Sequence, residues 1–234
     1  MEKDLKIRYA RQIAVAEIGK EGQLKLCSSK VLVIGCGALG SMVAMELAGA
    51  GIGTLGIADY DNIDISNLQR QYFFTTAESG KSKVETLSCR INDLNPEIKV
   101  NTYPFIVTTK RAKEIFAEYD FIVDATDNPD TKRLSGEITL QLGKPCCIGG
   151  VRDFEGQVMT FKPSDPRFED YFGKATSDGI LPCSLAGVIG PAAALCASIQ
   201  ACETIKYLSG TGKLLSGRIL LFNLLDNTFK TFLI

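Results

Sequence analysis

The fold is decided by the stretch Val31-Leu32-Val33-Ile34-Gly35-Cys36-Gly37-Ala38-Leu39-Gly40. Its four leading apolar residues predict a buried strand, and the three glycines follow with the spacing of a turn that opens a helix. Glycines let such a turn tighten and let backbone N–H groups approach a phosphate at the helix N-terminus. Asp59 ends a second apolar run, where a carboxylate can accept hydrogen bonds from both hydroxyls of a ribose. The pattern therefore predicts a site for an adenosine-bearing ligand.

Length and charge limit the classes of protein. The 234 residues are 45% hydrophobic, which is enough to bury one substantial core. The 26 basic and 27 acidic residues are mixed along the chain and give a net charge of −1, so we expect no nucleic-acid partner. No apolar run approaches the roughly 20 residues that span a bilayer, and the N-terminus does not resemble a signal peptide. We therefore expect a cytoplasmic protein with no membrane partner.

The chain has eight cysteines and no histidine. Thiols are expected in a reducing cytoplasm, and no Cys-x-x-Cys pair is present to hold a structural zinc ion. Adjacent Cys146 and Cys147 suit the two faces of one strand. Four further cysteines have small or apolar neighbours and are expected to be buried, namely Cys36, Cys89, Cys196 and Cys202. We expect no zinc and no mechanism that needs a histidine base.

Apolar periodicity predicts an alternation of strands and helices up to residue 150, and hence a mostly parallel sheet. A helix over 4–18 ending at Gly19 comes first. We expect strands over 30–34, 54–59, 100–105, 121–123 and 145–149, and helices over 38–49, 79–94, 109–117 and up to about 142. Beyond them we expect a strand over 157–161, a polar loop over 163–182, a helix over 185–208 and antiparallel strands over 218–224 and 228–233. The fold class is α/β: Rossmann-like and doubly wound, with helices on both faces and antiparallel strands at the C-terminal end.

The glycine turn and Asp59 by themselves favour an NAD dehydrogenase. The segment after Asp59 argues for a different ligand, because its polar residues suit the binding of polyphosphate. Asp127 stands just beyond the carboxyl end of a predicted strand, where ligands bind in open α/β sheets and where a carboxylate suits magnesium. The polar residues that suit polyphosphate are Asp61, Asn67, Arg70, Gln71 and the helical Lys83. This set favours ATP and magnesium over a nicotinamide cofactor.

Several motifs in one order identify a family. They are Arg8 to Ile13 (RYARQI), the glycine turn, Asp59-Tyr60-Asp61, Ser66 to Gln71 (SNLQRQ), Gly80 to Glu85 (GKSKVE), Asp124 to Asn128 (DATDN) and Ala186 to Pro191 (AGVIGP). With them the chain resembles the MoeB/ThiF/HesA family, the bacterial relatives of ubiquitin-activating enzymes. Cys183 and the segment 187–191 make the chain slightly more similar to ThiF than to MoeB.

That resemblance implies a nucleotidyltransferase. It would use ATP to adenylate the C-terminal Gly-Gly carboxylate of a small ubiquitin-like sulfur-carrier protein, ThiS- or MoaD-like, and release pyrophosphate. It also implies a homodimer, with a separate protein as the sulfur donor. We expect one adenylation domain over 1–234, comprising an N-terminal helical arm (1–29), a nucleotide-binding core (30–150) and a carrier-binding and dimer portion (151–234).

The resemblance also implies roles for individual residues. Asp59 would hold the ribose, and Asp127 would hold magnesium. Arg11 would reach the β- and γ-phosphates in the partner subunit's site, and Cys183 would handle the activated carrier covalently. The phosphates would be held by Asn67, Arg70, Gln71 and Lys83, in a nucleotide site completed by Gly35, Gly37, Ala38, Leu39, Gly40, Asp61 and Asn128. Such chemistry depends on positioning and charge neutralisation, because a carboxylate is already a nucleophile.

Each of these residues has a simpler interpretation. Asp127 or Asn128 could cap the helix that Pro129 begins. Arg8 and Arg11 could form a solvated stripe, Lys83 could be an exposed charge, Arg70 could join a surface ion pair, and Cys183 could be buried and inert. For the whole protein, the alternatives are an NAD-dependent dehydrogenase and a catalytically silent dimerisation subunit. The sequence leaves the pathway open between thiamine, molybdopterin and other sulfur chemistry.

Overall fold

The computed structural model describes residues 7–165 and 187–234. In that part of the chain the strands are β1 (Lys30–Ile34), β2 (Thr54–Ala58), β3 (Lys99–Tyr103), β4 (Phe121–Asp124), β5 (Cys146–Arg152), β6 (Glu155–Phe161), β7 (Arg218–Asn223) and β8 (Thr228–Leu233). The helices are α1 (Ala10–Ile13), α2 (Gly19–Ser28), α3 (Ala38–Ala50), α4 (Lys83–Leu94), α5 (Thr109–Phe116), α6 (Pro129–Leu142) and α7 (Gly190–Ser209). Short 3₁₀ turns lie at Ile65–Asn67 and Thr76–Glu78.

The strands form one sheet in the order β3-β2-β1-β4-β5-β6-β7-β8. Pairing is parallel from β3 to β5 and antiparallel from β5 to β8. The predicted α/β fold is confirmed, including its antiparallel C-terminal end. The strand order reverses between β1 and β4, and ligands of doubly wound sheets bind at the carboxyl ends of the strands beside such a reversal.

Helices cover both faces of the sheet, as predicted. One core joins α2, α3, α4 and α7 to the face that includes Val31, Val33 and Cys147. The other joins α5 and α6 to the face that includes Leu32 and Cys146. The two adjacent cysteines therefore lie on opposite faces of β5, because side chains alternate along a strand.

The N-terminal helix is much shorter than predicted. The expected helix over 4–18 is reduced, within the described residues, to the four residues of α1, and Gly19 begins α2 instead of ending α1. Gly19 has φ +55°, a left-handed conformation that glycine adopts without strain. The chain changes direction there, so one apolar pattern is divided between two helices.

Three further expectations differ in detail. The predicted helix over 79–94 begins only at Lys83, because the side chain of Ser82 caps it. The late helix begins at Gly190, with Pro191 in its first turn, where no N–H donor is needed. Cys89 and Cys202 were expected to be buried and are exposed, whereas Cys36 and Cys196 are buried. Apolar neighbours in sequence do not settle which face of a helix a residue occupies.

Residues 166–186, which include Cys183 and most of the predicted loop over 163–182, lie outside the described residues. The seven cysteines within the described ranges are free thiols. None of the helices in residues 7–165 and 187–234 has both the length and the apolar composition needed to cross a bilayer.

Candidate functional site

The glycine turn connects the end of β1 to the start of α3. Gly35 has φ +89°, so a side chain there would strain the backbone. A Cβ atom at Gly37 would lie 3.6 Å from Nε2 of Gln71, which places the Gln71 amide beside the turn. Ala38, Leu39 and Gly40 form the first turn of α3, whose N–H groups have no partners within the helix. This open turn at a helix N-terminus is suited to an anion.

Asp59 follows β2 directly and is fixed against the glycine turn. Its Oδ2 accepts a hydrogen bond from the Cys36 N–H at 2.7 Å, and its Oδ1 accepts one from the Asp61 N–H at 2.9 Å. The carboxylate is half-buried, so it remains accessible to a ligand at this edge. Burial and the charge of Asp59 raise the pKa of the Cys36 thiol well above its usual value, and Cys36 is therefore neutral.

The polar segment after Asp59 folds as a compact turn. Asp64 caps the 3₁₀ turn by accepting a hydrogen bond from the Ser66 N–H at 2.8 Å. The N–H groups of Arg70 and Gln71 both donate to the carbonyl of Asn67, at 3.1 and 3.0 Å. These bonds bring the predicted phosphate-binding residues Asn67, Arg70 and Gln71 onto one turn beside the glycines.

Lys83 is buried, which excludes its interpretation as an exposed surface charge. It is 4% exposed, and its Nζ lies 3.0 Å from Oδ2 of Asp61. Backbone hydrogen bonds pair 61–63 with 80–83, including Lys83 N–H to the Asp61 carbonyl at 3.1 Å. A buried ammonium requires compensating partners, and Asp61 is itself half-exposed. The Lys83–Asp61 pair is tied to the ligand edge of the sheet, because the Asp61 N–H donates to Asp59.

Arg70 and Gln71 differ in how they are held. Nη1 of Arg70 donates to the carbonyl of Ser66 at 3.2 Å, and the residue as a whole is partly buried. Gln71 is 4% exposed, and its Oε1 has no hydrogen-bond partner among the described residues. Because buried polar atoms are normally hydrogen-bonded, a ligand polar group beside Gln71 would complete its bonding.

The turn after β4 carries Asp127 and Asn128. Asn128 caps α6, with its Oδ1 accepting from the N–H groups of Asp130 at 2.8 Å and Thr131 at 3.2 Å. The capping interpretation therefore holds for Asn128, whose side-chain oxygen is occupied. Asp127 is exposed and is close enough to Asp59 and Asp61 that all three carboxylates act on Tyr60. Asp127 is thus brought to the same edge as the glycine turn.

Tyr60 was not predicted as a site residue. Its phenol is exposed, and its pKa is raised, first by the charge of Asp61 and then by partial burial and by the charges of Asp59 and Asp127. Lys83 acts in the opposite direction. Tyr60 is therefore a neutral hydroxyl near the acidic residues of the site.

A cleft of about 390 Å³ adjoins the turn after β4. It lies between the N-terminal ends of α5 and α6, and its lining is partly apolar through Val107 and Leu134. The other lining residues are Thr108, Thr109, Asn128, Asp130, Thr131, Arg133 and Glu137. Its volume falls in the range of small-molecule pockets.

Arg11 is not brought to this site. Gln12 donates to the carbonyl of Ala50 at 2.9 Å, and Tyr9 Oη accepts a hydrogen bond from Asn95 at 2.7 Å. These bonds fix α1 at the C-terminal ends of α3 and α4, whereas the glycine turn lies at the N-terminal end of α3. A helix of 13 residues spans about 20 Å, far more than an arginine side chain can bridge. Arg11 is exposed, while its neighbour Arg8 donates to the carbonyl of Leu94.

A metal centre built from several protein ligands is not found in the described ranges, where no three His, Cys, Asp or Glu side chains converge. Asp127 could offer one hard oxygen ligand, and Mg²⁺ keeps several waters and binds through one or two carboxylates together with phosphates. The donor set therefore fits magnesium carried in with a nucleotide.

Comparisons with known proteins identify the family of the chain. The sequence profile of the ThiF family matches residues 9–234. A sulfur carrier protein adenylyltransferase of Thermus thermophilus is 37% identical over 230 residues, which is 95% of this chain and 85% of that protein. An adenylyltransferase and sulfurtransferase MOCS3 of Dictyostelium discoideum is 41% identical over 96% of this chain, which spans only 53% of MOCS3. The chain thus covers about half the length of that relative.

Solved structures show the same fold. PaaA superposes with a TM-score of 0.84 at 25% identity, over 98% of this chain and 73% of PaaA. E. coli MccB with ATP superposes with a TM-score of 0.80 at 22% identity, over 91% of this chain and 66% of MccB. Since the family profile extends over nearly the whole sequence, the chain belongs to the ThiF family.

Proposed function

We propose that this protein adenylates the C-terminal carboxylate of a small ubiquitin-like sulfur-carrier protein. A carboxylate oxygen attacks the α-phosphorus of ATP, the bond to the β-phosphate breaks, and pyrophosphate leaves with its electron pair. The observation that carries the proposal is the buried Lys83 held 3.0 Å from Asp61, beside the glycine turn and Asp59. Fixed positive charge at that point stabilises the charge that develops on the phosphates.

Different residues of the chain bind different parts of the nucleotide. Asp59 holds the ribose hydroxyls, and the N–H groups at the start of α3 approach the phosphates. Asn67, Arg70, Gln71 and Lys83 complete the phosphate site, with Lys83 nearest the α-phosphate. The orientation of Asp59 is set before any ligand binds, because two backbone N–H groups already hold its oxygens.

We assign the adenine to the cleft that adjoins Asn128. Val107 and Leu134 offer apolar contact for a planar base, and the threonines and charged residues at the rim offer polar partners. Asp127, in the turn beside this cleft, would hold Mg²⁺ together with the phosphates. Magnesium, when bound, neutralises phosphate charge and orients the leaving pyrophosphate.

Arg11 serves the site of a second copy. Since α1 is fixed about 20 Å from the glycine turn of its own chain, an arginine that contacts phosphate must belong to the other subunit of a homodimer. Residues 1–29 then form an arm at the dimer interface, and residues 151–234 provide the carrier-binding and dimer portion.

The proposal extends to parts of the reaction beyond the described residues. Cys183 handles the activated carrier covalently, a separate protein supplies the sulfur, and no zinc is needed. If the Cys183→Ser variant supports full sulfur transfer in a reconstituted system, the thiol does not have this role. One equivalent of zinc in metal analysis would contradict the absence of that metal.

The alternative functions receive less support. A dehydrogenase would use the same glycine turn, but the relatives from Thermus thermophilus and Dictyostelium discoideum are named as adenylyltransferases. A silent dimerisation subunit has no need of a phosphate site, whereas Arg11, Lys83 and Asp127 are all present.

Calorimetric titration with ATP and with NAD separates the enzymatic alternatives. We expect Mg²⁺ and ATP to bind wild-type protein, and Asp59→Ala and Lys83→Ala to weaken binding. Glu85, exposed on the same helix as Lys83, offers a control in Glu85→Ala, which we expect to bind normally. Tighter binding of NAD than of ATP would contradict the proposed function.

A further inference from the structure

A buried charge lies beneath the turn that carries Asp127. Asp124, the last residue of β4, is fully buried, and its Oδ1 accepts hydrogen bonds from the N–H and hydroxyl of Thr126 at 3.0 and 2.7 Å. Its Oδ2 accepts from the Ser135 hydroxyl at 2.7 Å. Both carboxylate oxygens of Asp124 are thus bonded within the protein, so Asp124 supports the turn from below and is not available to a ligand.

Lys132 of α6 is the cation that faces Asp124. Its Nζ donates to the carbonyls of Thr126 and Gly149, both at 2.6 Å, and lies 3.4 Å from Oδ1 of Asp124. Its side chain is 13% exposed. An ammonium has three donors, and all three are directed at acceptors here. A charge is rarely buried without paired partners, and Lys132 has them in Asp124 and the two carbonyls.

The position of Nζ explains what these bonds do. The parallel pairing of β4 with β5 ends at Asp124 and Ile148. Beyond that pair the two chains separate, and Lys132 bridges the carbonyl of Thr126 on one side to that of Gly149 on the other. Lys132 therefore extends the connection between the two strands past the last backbone hydrogen bond.

The turn held in this way is packed against the glycine turn. Ala125 donates its N–H to the carbonyl of Ile34 at 2.9 Å. A Cβ atom at Gly35 would lie 3.1 Å from the Ala125 carbonyl oxygen, and one at Gly40 would lie 3.3 Å from the Ala125 Cβ. A shift of the 124–128 turn would move Asp127 and would also press on the proposed phosphate site.

We propose that Lys132 is a positioning residue for Asp127, an inference that rests on the proposed function. It fixes the Thr126 carbonyl, and through that peptide the direction of the Asp127 carboxylate towards the nucleotide and its metal. Lys132 itself contacts neither. Outer-sphere groups that orient a metal ligand typically change metal affinity by about 10–100-fold when they are removed.

The test must separate positioning from the neutralisation of Asp124. Lys132→Met alone leaves a buried carboxylate without its cation, which destabilises the fold. The double variant Asp124→Asn/Lys132→Met removes both charges. It is compared with Asp124→Asn alone, in which Lys132 keeps both carbonyl acceptors. Thermal unfolding identifies folded samples, and Asp124→Asn/Lys132→Leu, which also lacks a donor for the two carbonyls, replaces the double variant if methionine prevents folding.

Electron paramagnetic resonance measures how tightly Mn²⁺ binds to the protein saturated with a non-hydrolysable ATP analogue. We expect the double variant to bind Mn²⁺ about 10–100-fold more weakly than Asp124→Asn. Equal affinity in the two folded variants would overturn the role of Lys132. If wild-type protein itself fails to bind Mn²⁺ with the analogue, the proposed function fails first, so the two failures are distinguishable.

Discussion

Gly40 lies directly against Gly35 across the turn that begins α3. A Cβ atom at Gly40 would stand 1.7 Å from the carbonyl oxygen of Gly35, closer than any real contact permits. The obstruction is backbone and not the end of a flexible side chain. The third glycine of the motif is therefore required by the packing of helix against turn.

Gly40→Ala is expected to destabilise the protein by about 1–3 kcal/mol, because the turn must shift to admit the methyl group. Gly49 on the same helix is a matched control, since a Cβ atom there would meet nothing within 4 Å. Gly49→Ala should stabilise by about 0.5–1 kcal/mol, through the lower helix propensity of glycine. Urea unfolding measures both, and equal effects of the two substitutions would contradict the close approach.

Lys83→Ala is expected to lower carrier-dependent ATP–pyrophosphate exchange by about 10²–10³-fold, because one preorganised charge contact to the phosphates is lost. The protein should stay folded, since the Asp61 left behind is half-exposed and can be solvated. Lys81→Ala removes an exposed lysine two residues earlier and should leave the rate near that of wild type. Similar losses in both variants would point to general surface charge and not to the buried ammonium.

Substitutions of the adjacent residues Asp127 and Asn128 should have different effects, one on activity and the other on stability. Asp127→Asn is expected to lower exchange by about 10²–10³-fold with little change in unfolding temperature. Asn128→Ala removes the N-cap of α6 and should cost about 1 kcal/mol of stability. Exchange rates and urea unfolding of the two variants test this contrast. A full exchange rate in Asp127→Asn would remove the metal assignment.

Hybrid dimers test whether Arg11 acts on the partner's site. Arg11→Ala and Lys83→Ala should each be inactive alone, because every site lacks one group. Refolded together, they should recover roughly a quarter of wild-type exchange, since half of random dimers are hybrids with one intact site. If mixing restores nothing although size-exclusion chromatography shows hybrid dimers, Arg11 does not act between subunits.

Local sequence signals located the part of the site that is built from contiguous motifs. The glycine turn and Asp59 follow directly from two apolar strands, and their predicted positions at the sheet edge agree with the structure. The burial of Lys83 could not be foreseen, because it depends on backbone pairing between 61–63 and 80–83. A lysine at the start of a polar helix is indistinguishable from a solvated one until that pairing is known.

Long-range contacts account for the other differences. Asp124 and Lys132 meet through the crevice between β4 and β5, and no periodicity links them. The predicted helix over 4–18 was interrupted because Tyr9 and Gln12 are bound to the ends of α3 and α4, contacts that span 86 and 38 residues of sequence. A carboxylate at the end of an otherwise apolar strand was the only local signal for the Asp124 pair.

ATP–pyrophosphate exchange detects the formation of an acyl-adenylate on a carrier protein. Purified protein is incubated with ATP, Mg²⁺, labelled pyrophosphate and a ThiS- or MoaD-like carrier ending in Gly-Gly. We predict label in ATP only when the carrier is present, and none when its terminal glycine is deleted. Label incorporation that is independent of the carrier, or absent with every carrier of this class, would contradict the proposed function.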